Sequence, residues 1–199
     1  MKRDFMQAVE NRRTYYGIEK ASPITKEEIV KILEHALLHV PSSFNSQSGR
    51  IVLLLGAQSD KLWEIVREVL KGLVPEDSFP ATSEKIDAFQ NGFGTVLFFE
   101  DQAVVEGLQE QFALYKDNFP LWSIQSSGML QYVVWTSLED NGLGASLQHY
   151  NPLIDDKVRE EWKLPKSWRL MSQMPFGRPT AEPGKKEYSP LKARLKIIG

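Results

Sequence analysis

FPLWSIQSSGMLQYVVWTSLEDNGLGASLQHYNP, Phe119 to Pro152, is the stretch on which the rest of the chain is organised. Pro120 suits the first turn of a helix, where its missing N–H costs nothing. Leu121, Ile124, Leu130, Val134 and Leu138 recur at helical spacings, and Trp122, Met129, Tyr132, Val133 and Trp135 fill most of the remaining circumference. A helix that is apolar nearly all round is expected to be buried. Ser123, Gln125, Ser126, Ser127 and Gln131 interrupt it too often for a membrane span. Ser123, Ser126, Ser127 and Gly128 would admit the close approach of another backbone. Asn141-Gly142 supplies a left-handed stop. Gly144 to Tyr150 then reads as a strand carrying Gln148 and His149, with Asn151 following. A core helix that runs into such a strand is a scaffold aimed at a site.

Outward from this stretch, helices and strands alternate. Residues 4–13 form a short helix with Asp4 as cap. Thr25-Lys-Glu-Glu is a capping box, Thr25 with Glu28, opening a helix that stops before Pro41. RIVLLLG (50–56) reads as a continuous apolar strand, buried on both faces or nearly so, and TVLFFE (95–100) as a second buried strand. Further helices are expected over 60–70, 83–90, 102–115 and 155–162, and a strand over 168–176. The segment from about 177 to 199, rich in Pro, Gly and Lys, reads as an extended arm. The strands near 51, 95, 144 and 169 are too unevenly spaced for simple βαβ winding. The fold class is therefore α+β: a sheet flanked by helices, in one domain spanning 1–199.

Composition narrows the function. The net charge of −2 supplies no basic field for nucleic acid or an anionic membrane. The absence of cysteine excludes disulfides, thiolate zinc sites, iron–sulfur clusters and thiol nucleophiles. MKRDFMQAVENRR lacks the apolar core of a signal peptide, and no apolar run reaches membrane-spanning length, so the expected location is the cytoplasm.

Several local signals are ambiguous when taken singly. The glycine strings at Gly92 and Gly142 are not dinucleotide fingerprints, because neither follows a strand and opens a helix. His35 and His39 have the spacing of two metal ligands, but lack the intervening glutamate of H-E-x-x-H. More often such a pair sits near a helix C-terminus, where partial negative charge favours it. Arg12-Arg13-Thr14 closes the first helix: on its own it reads as a solvated helix end, although two guanidiniums and a hydroxyl also suit a phosphate. PSSFNSQS (41–48) is either a well-formed turn or an edge of amides and hydroxyls for a heterocycle. The lysines of the last stretch end a basic tail or deliver a cation.

The order of these signals carries more than any one of them. NRRTYYG near the start, PSSFNSQS before the first strand, GLGASLQHYN after the long helix and PFGRP before a lysine-containing arm resemble the nitroreductase family of FMN flavoproteins across essentially the whole chain. They most resemble a small bacterial and fungal subgroup. The resemblance implies a nitroreductase-like fold, with a central mixed or antiparallel sheet flanked by helices and a long central dimer helix. It implies that Arg12 and Thr14 hold the FMN phosphate, with Arg13 beside them and Lys185 or Lys186 reaching it. Ser42, Ser43, Asn45 and Gln47 would line the flavin from the partner subunit. Gly144, Ala145, Leu147, Gln148 and His149 would lie near its N5–O4 edge. Where the family motif has a final Arg or Lys, placed in the family by the flavin N1–O2 edge, this chain has Tyr16, which donates one hydrogen bond but no charge. Lys85 is a candidate substitute.

The implied function is an FMN-dependent oxidoreductase, a homodimer passing electrons from NADH or NADPH to a nitroaromatic or quinone by a ping-pong mechanism. No catalytic acid or base is assigned, and His149 is the one candidate proton donor. Phe44 and Trp122 are candidates for a stacking wall. Two other readings are kept. One is a flavin-binding stress or regulatory protein with little turnover, motivated by Tyr16. The other is a colourless metal-dependent hydrolase using His35, His39 and His149.

Overall fold

Thr95 to Glu100 has no polar face, and a strand of that kind must be covered on both sides. The computed structural model describes residues 4–199 and places this run at the centre of the sheet. In chain order the elements are α1 (Phe5–Asn11), β1 (Ile18–Glu19), α2 (Lys26–His39), β2 (Gly49–Leu55), α3 (Ala57–Lys71), α4 (Phe79–Gln90), β3 (Gly94–Asp101), α5 (Gln102–Gln111), α6 (Phe119–Asp140), β4 (Gly144–Ala145), α7 (Asp155–Glu161) and β5 (Trp168–Pro179). The sheet order is β1-β5-β3-β2, with β4 also paired to β5, and every pairing is antiparallel.

Side chains alternate across a strand, and β3 divides the core accordingly. Val96 and Phe98 join Ile29, Leu33, Leu130, Val134 and Leu138 under α2 and α6. Leu97 and Phe99 join Leu62, Trp63, Val66, Ile86 and Phe89 under α3 and α4. Helix α2 opens on the expected capping box: Glu28 N–H donates to Thr25 Oγ1 and Thr25 N–H to Glu28 Oε2.

Some expectations are corrected. The strand expected over 144–150 is only Gly144–Ala145, followed by one further bridge, Gln148 to Gln173. The opposing strand carries Pro175, which has no N–H to return, so the ladder lapses there. The helix expected over 102–115 ends at Gln111 and gives way to a 3₁₀ segment, Ala113–Asn118. Phe112 packs at 4.9 Å from Phe44 and breaks the helical path. Strand β5 runs to Pro179, so irregular chain begins after it. Helix α6 is not buried all round in the single chain. Leu121, Ile124, Met129 and Tyr132 are exposed, while Ser126, Ser127 and Gln131 face inward. The inward polar groups are satisfied locally, Ser126 Oγ donating to Trp122 O and Gln131 Nε2 to Ser127 Oγ.

Candidate functional site

After α1 the chain runs extended alongside β4. Thr14 pairs with Ala145, Tyr15 N–H donates to Ala145 O at 3.0 Å, and Thr180 N–H donates to Gly17 O at 3.0 Å. These bonds bring residues 12–17 beside the start of the C-terminal arm. Between them lies an open cleft of about 520 Å³, lined by Arg12, Arg13, Thr14 and Tyr16 and by Glu182, Gly184 and Lys186 of the arm. Its volume is in the range of cofactor sites. Arg12, Arg13 and Lys186 face the single carboxylate of Glu182, so the lining is net positive.

The two arginines are held differently. Arg13 donates to Gly184 O at 2.6 Å. Arg12 lies with its guanidinium carbon 4.4 Å from the centroid of the Trp135 ring, and its buried Nε has no hydrogen-bond partner. A buried donor without a partner is costly, and a group bound in the adjoining cleft would account for it. Lys186 sits 5.2 Å from the Tyr188 ring, and Lys185 is exposed beside it.

Along the β4 run, most side chains are already committed inward. A Cβ on Gly144 would meet Tyr15 Cγ at 2.8 Å and Pro179 Cγ at 3.0 Å, so this glycine exists to let residues 14–16 approach the sheet. Ala145 is buried, Leu147 packs against the α2–α6 core, and Gln148 Nε2 donates to Ser146 Oγ. His149 alone of the run is exposed.

The loop of Ser42, Ser43, Asn45 and Gln47 lies outside that cleft. Ser42 Oγ accepts from Gln47 N–H at 2.9 Å, and Ser42 and Gln47 line a separate small cavity with Glu100 and Ser126. Phe44, Asn45 and Gln47 have φ of 57°, 50° and 48°. Asn tolerates this left-handed region, whereas Phe and Gln are strained there. Phe44 secures the loop by packing among Phe112, Tyr115, Phe119 and Trp122, and it stacks on Trp122 at 5.9 Å and 18°. The two residues expected as an aromatic wall thus stack on each other.

Tyr16 is exposed and shares a shallow surface with Lys85, whose Nζ lies 5.8 Å from the Phe89 ring. His35 and His39 pack ring against ring at 4.4 Å, and among the described residues no three metal-ligating side chains converge.

Glu100 carries no motif that singles it out in the sequence. It is 1% exposed, and Ser48 and Ser123 donate to its Oε2 at 2.6 and 2.7 Å. Burial raises its pKa, opposed by the two serine hydrogen bonds and by Arg50. The signal was an acidic residue ending an apolar strand, with serines in the next loop and helix.

The family model described as Nitroreductase family matches residues 9–178. HBN1 of Saccharomyces cerevisiae is 35% identical over 187 residues, covering 92% of each chain. The nitroreductase CinD from Lactococcus lactis, solved in complex with chloramphenicol, superposes with a TM-score of 0.91 at 46% identity, over 98% of this chain and 100% of that one. CinD in complex with 4-nitrophenol matches at a TM-score of 0.90 and 47% identity, with the same coverage. A protein of Exiguobacterium sibiricum solved with FMN shares the fold, with a TM-score of 0.73 at 15% identity over 98% of each chain.

Proposed function

The chain belongs to the nitroreductase family, and from that premise we propose that it binds FMN and passes electrons from NADH or NADPH to a nitroaromatic or quinone, as a cytoplasmic homodimer. The observation that carries the reading is the cationic cleft, where Arg12, Arg13, Thr14 and Lys186 surround space for a phosphate and Arg12 Nε lacks a partner. FMN, when bound, supplies hydride acceptance from the nicotinamide and, in a second half-reaction, electron delivery to the acceptor. The protein's part is to bind, orient and shield.

Arg12 and Arg13 offer charge-assisted donors to the phosphate, Thr14 a hydroxyl, and Lys186 or its neighbour Lys185 a cation from the arm. Ser42, Ser43, Asn45 and Gln47 lie apart from this cleft in their own chain, so they are assigned to the ring bound by the other subunit. Beside the ring edge, Gly144, Ala145, Leu147 and Gln148 contribute backbone, the side chains of the last three being turned inward; His149 contributes a side chain. The Phe44–Trp122 stack offers an apolar wall to a flat aromatic acceptor. The 4-nitrophenol complex of CinD supports the nitroaromatic class.

The test is an absorption spectrum of the purified protein. The expected result is a flavin spectrum that anaerobic NADPH or NADH bleaches and a nitroaromatic restores. A colourless protein that cannot be loaded with FMN overturns the reading. Tyr16 favours a second reading, a flavin-binding protein with little turnover. A yellow protein that neither nicotinamide reduces selects that reading.

A further inference from the structure

Arg12 is held unlike the other paired arginines of the chain. Arg50, Arg67, Arg159 and Arg178 each pair with a carboxylate, and Arg13 with a backbone carbonyl. Among the described residues, Arg12 has an indole face instead, 4.4 Å from its guanidinium carbon. The difference has a chemical consequence. A carboxylate would occupy the in-plane N–H fork and neutralise the charge, leaving little for an anion. A π face takes the flat side of the guanidinium, fixes its plane, and leaves the in-plane donors and the full charge available.

Trp135 itself is well anchored. It lies on α6 and packs against the core shared with α2 and β3, while Arg12 caps the C-terminus of α1. The stack therefore joins a short N-terminal helix to the longest helix of the fold at the wall of the cleft.

We propose that Trp135 is a positioning residue for the flavin phosphate, holding Arg12 by its ring face so that the guanidinium edge stays open to the anion. This rests on the FMN reading above. It adds a residue on α6 that does not line the cleft and acts only through Arg12.

The test compares two ligands that differ only in the phosphate. FMN and riboflavin are each titrated onto the flavin-free full chain of wild type, Trp135→Leu and Trp135→Phe. In Trp135→Leu, FMN affinity is expected to fall about tenfold, the scale of one partly desolvated cation–π contact, with riboflavin affinity unchanged. Trp135→Phe keeps a ring face and is expected to fall between the two. Unchanged riboflavin binding also shows that each variant is folded. Equal losses for both ligands in both variants assign Trp135 a packing role and overturn the proposal, as does an unchanged FMN preference. A wild-type chain that binds neither flavin sinks the FMN reading itself, and that outcome is visible before any variant is made.

Discussion

At Glu100 a carboxylate sits in the core with two serine hydroxyls on one oxygen. Desolvation is the largest influence and favours the protonated form. The folded state therefore holds this proton to higher pH than the unfolded chain does. Stability contributed by the raised pKa is present at low pH and lost as pH rises from about 4.5 through the folded value. Glu100→Gln keeps an oxygen to accept from Ser48 or Ser123 and removes the ionisation. Urea unfolding at several pH values is expected to show a shallower fall in stability above pH 4.5 in the variant; parallel curves would mean that Glu100 does not carry this proton. At Tyr16 the issue is charge. A cation at contact distance is worth about 4 kcal/mol at an effective dielectric near 20, before desolvation. For two electrons, about 1.4 kcal/mol is roughly 30 mV. Tyr16→Arg is thus expected to raise the flavin midpoint potential by some tens of millivolts, read by titration against a dye of known potential. An unchanged or lower potential with FMN still bound would remove this position from the N1–O2 edge and direct attention to Lys85.

The elements that sequence made legible are those whose signal is local. β3 follows from an unbroken apolar run, and the start of α2 from a threonine and a glutamate three residues apart. What was not legible depends on partners distant in the chain. β1 is two residues long and exists because β5 extends to Pro179 to meet it. The shortness of β4 comes from Pro175 on the opposite strand. The Arg12–Trp135 stack and the Glu100 pocket join segments that nothing in their own neighbourhoods connects. Gly144 shows the same dependence in a testable form. The sequence reads it as the start of a strand beside the flavin edge, yet the space next to it is taken by Tyr15 and Pro179. Gly144→Ala must push the Tyr15 side chain away from β4, and overpacking of this kind costs about 1–3 kcal/mol. The expected outcome is a lower urea midpoint together with weaker FMN binding, because displacing Tyr15 strains the Thr14 and Tyr15 bonds to Ala145 that hold the segment carrying Arg12 and Arg13. A variant with wild-type midpoint and affinity would show that the segment yields freely.

The molecule as a whole displays more apolar surface than a lone domain covers well. On α6, Leu121, Ile124, Met129 and Tyr132 are 54%, 46%, 42% and 38% exposed, and Gly128 among them has open space where a Cβ would stand. Leu191, Leu195, Ile197 and Ile198 of the arm are 62–86% exposed. A helix stripe of this kind, with a small residue at its centre, suits a second helix packed closely. Full burial of each large side chain contributes about 1.5–3 kcal/mol relative to exposure, and obligate interfaces resemble a domain core cut in half. The Ser42–Gln47 loop is also separate from the cationic cleft, so the FMN site proposed above would take its two halves from two chains. Wild type is therefore expected to sediment as a dimer of the 22.7 kDa chain. Ile124→Glu places a charge in the middle of the stripe and is expected to yield monomers. Those monomers should also lose FMN, although Arg12, Thr14 and Lys186 are untouched. The pairing of the two losses is the discriminating result. A monomeric variant that keeps FMN would show that one chain builds the whole site, and a wild-type, FMN-loaded monomer at micromolar concentration would remove the dimer altogether.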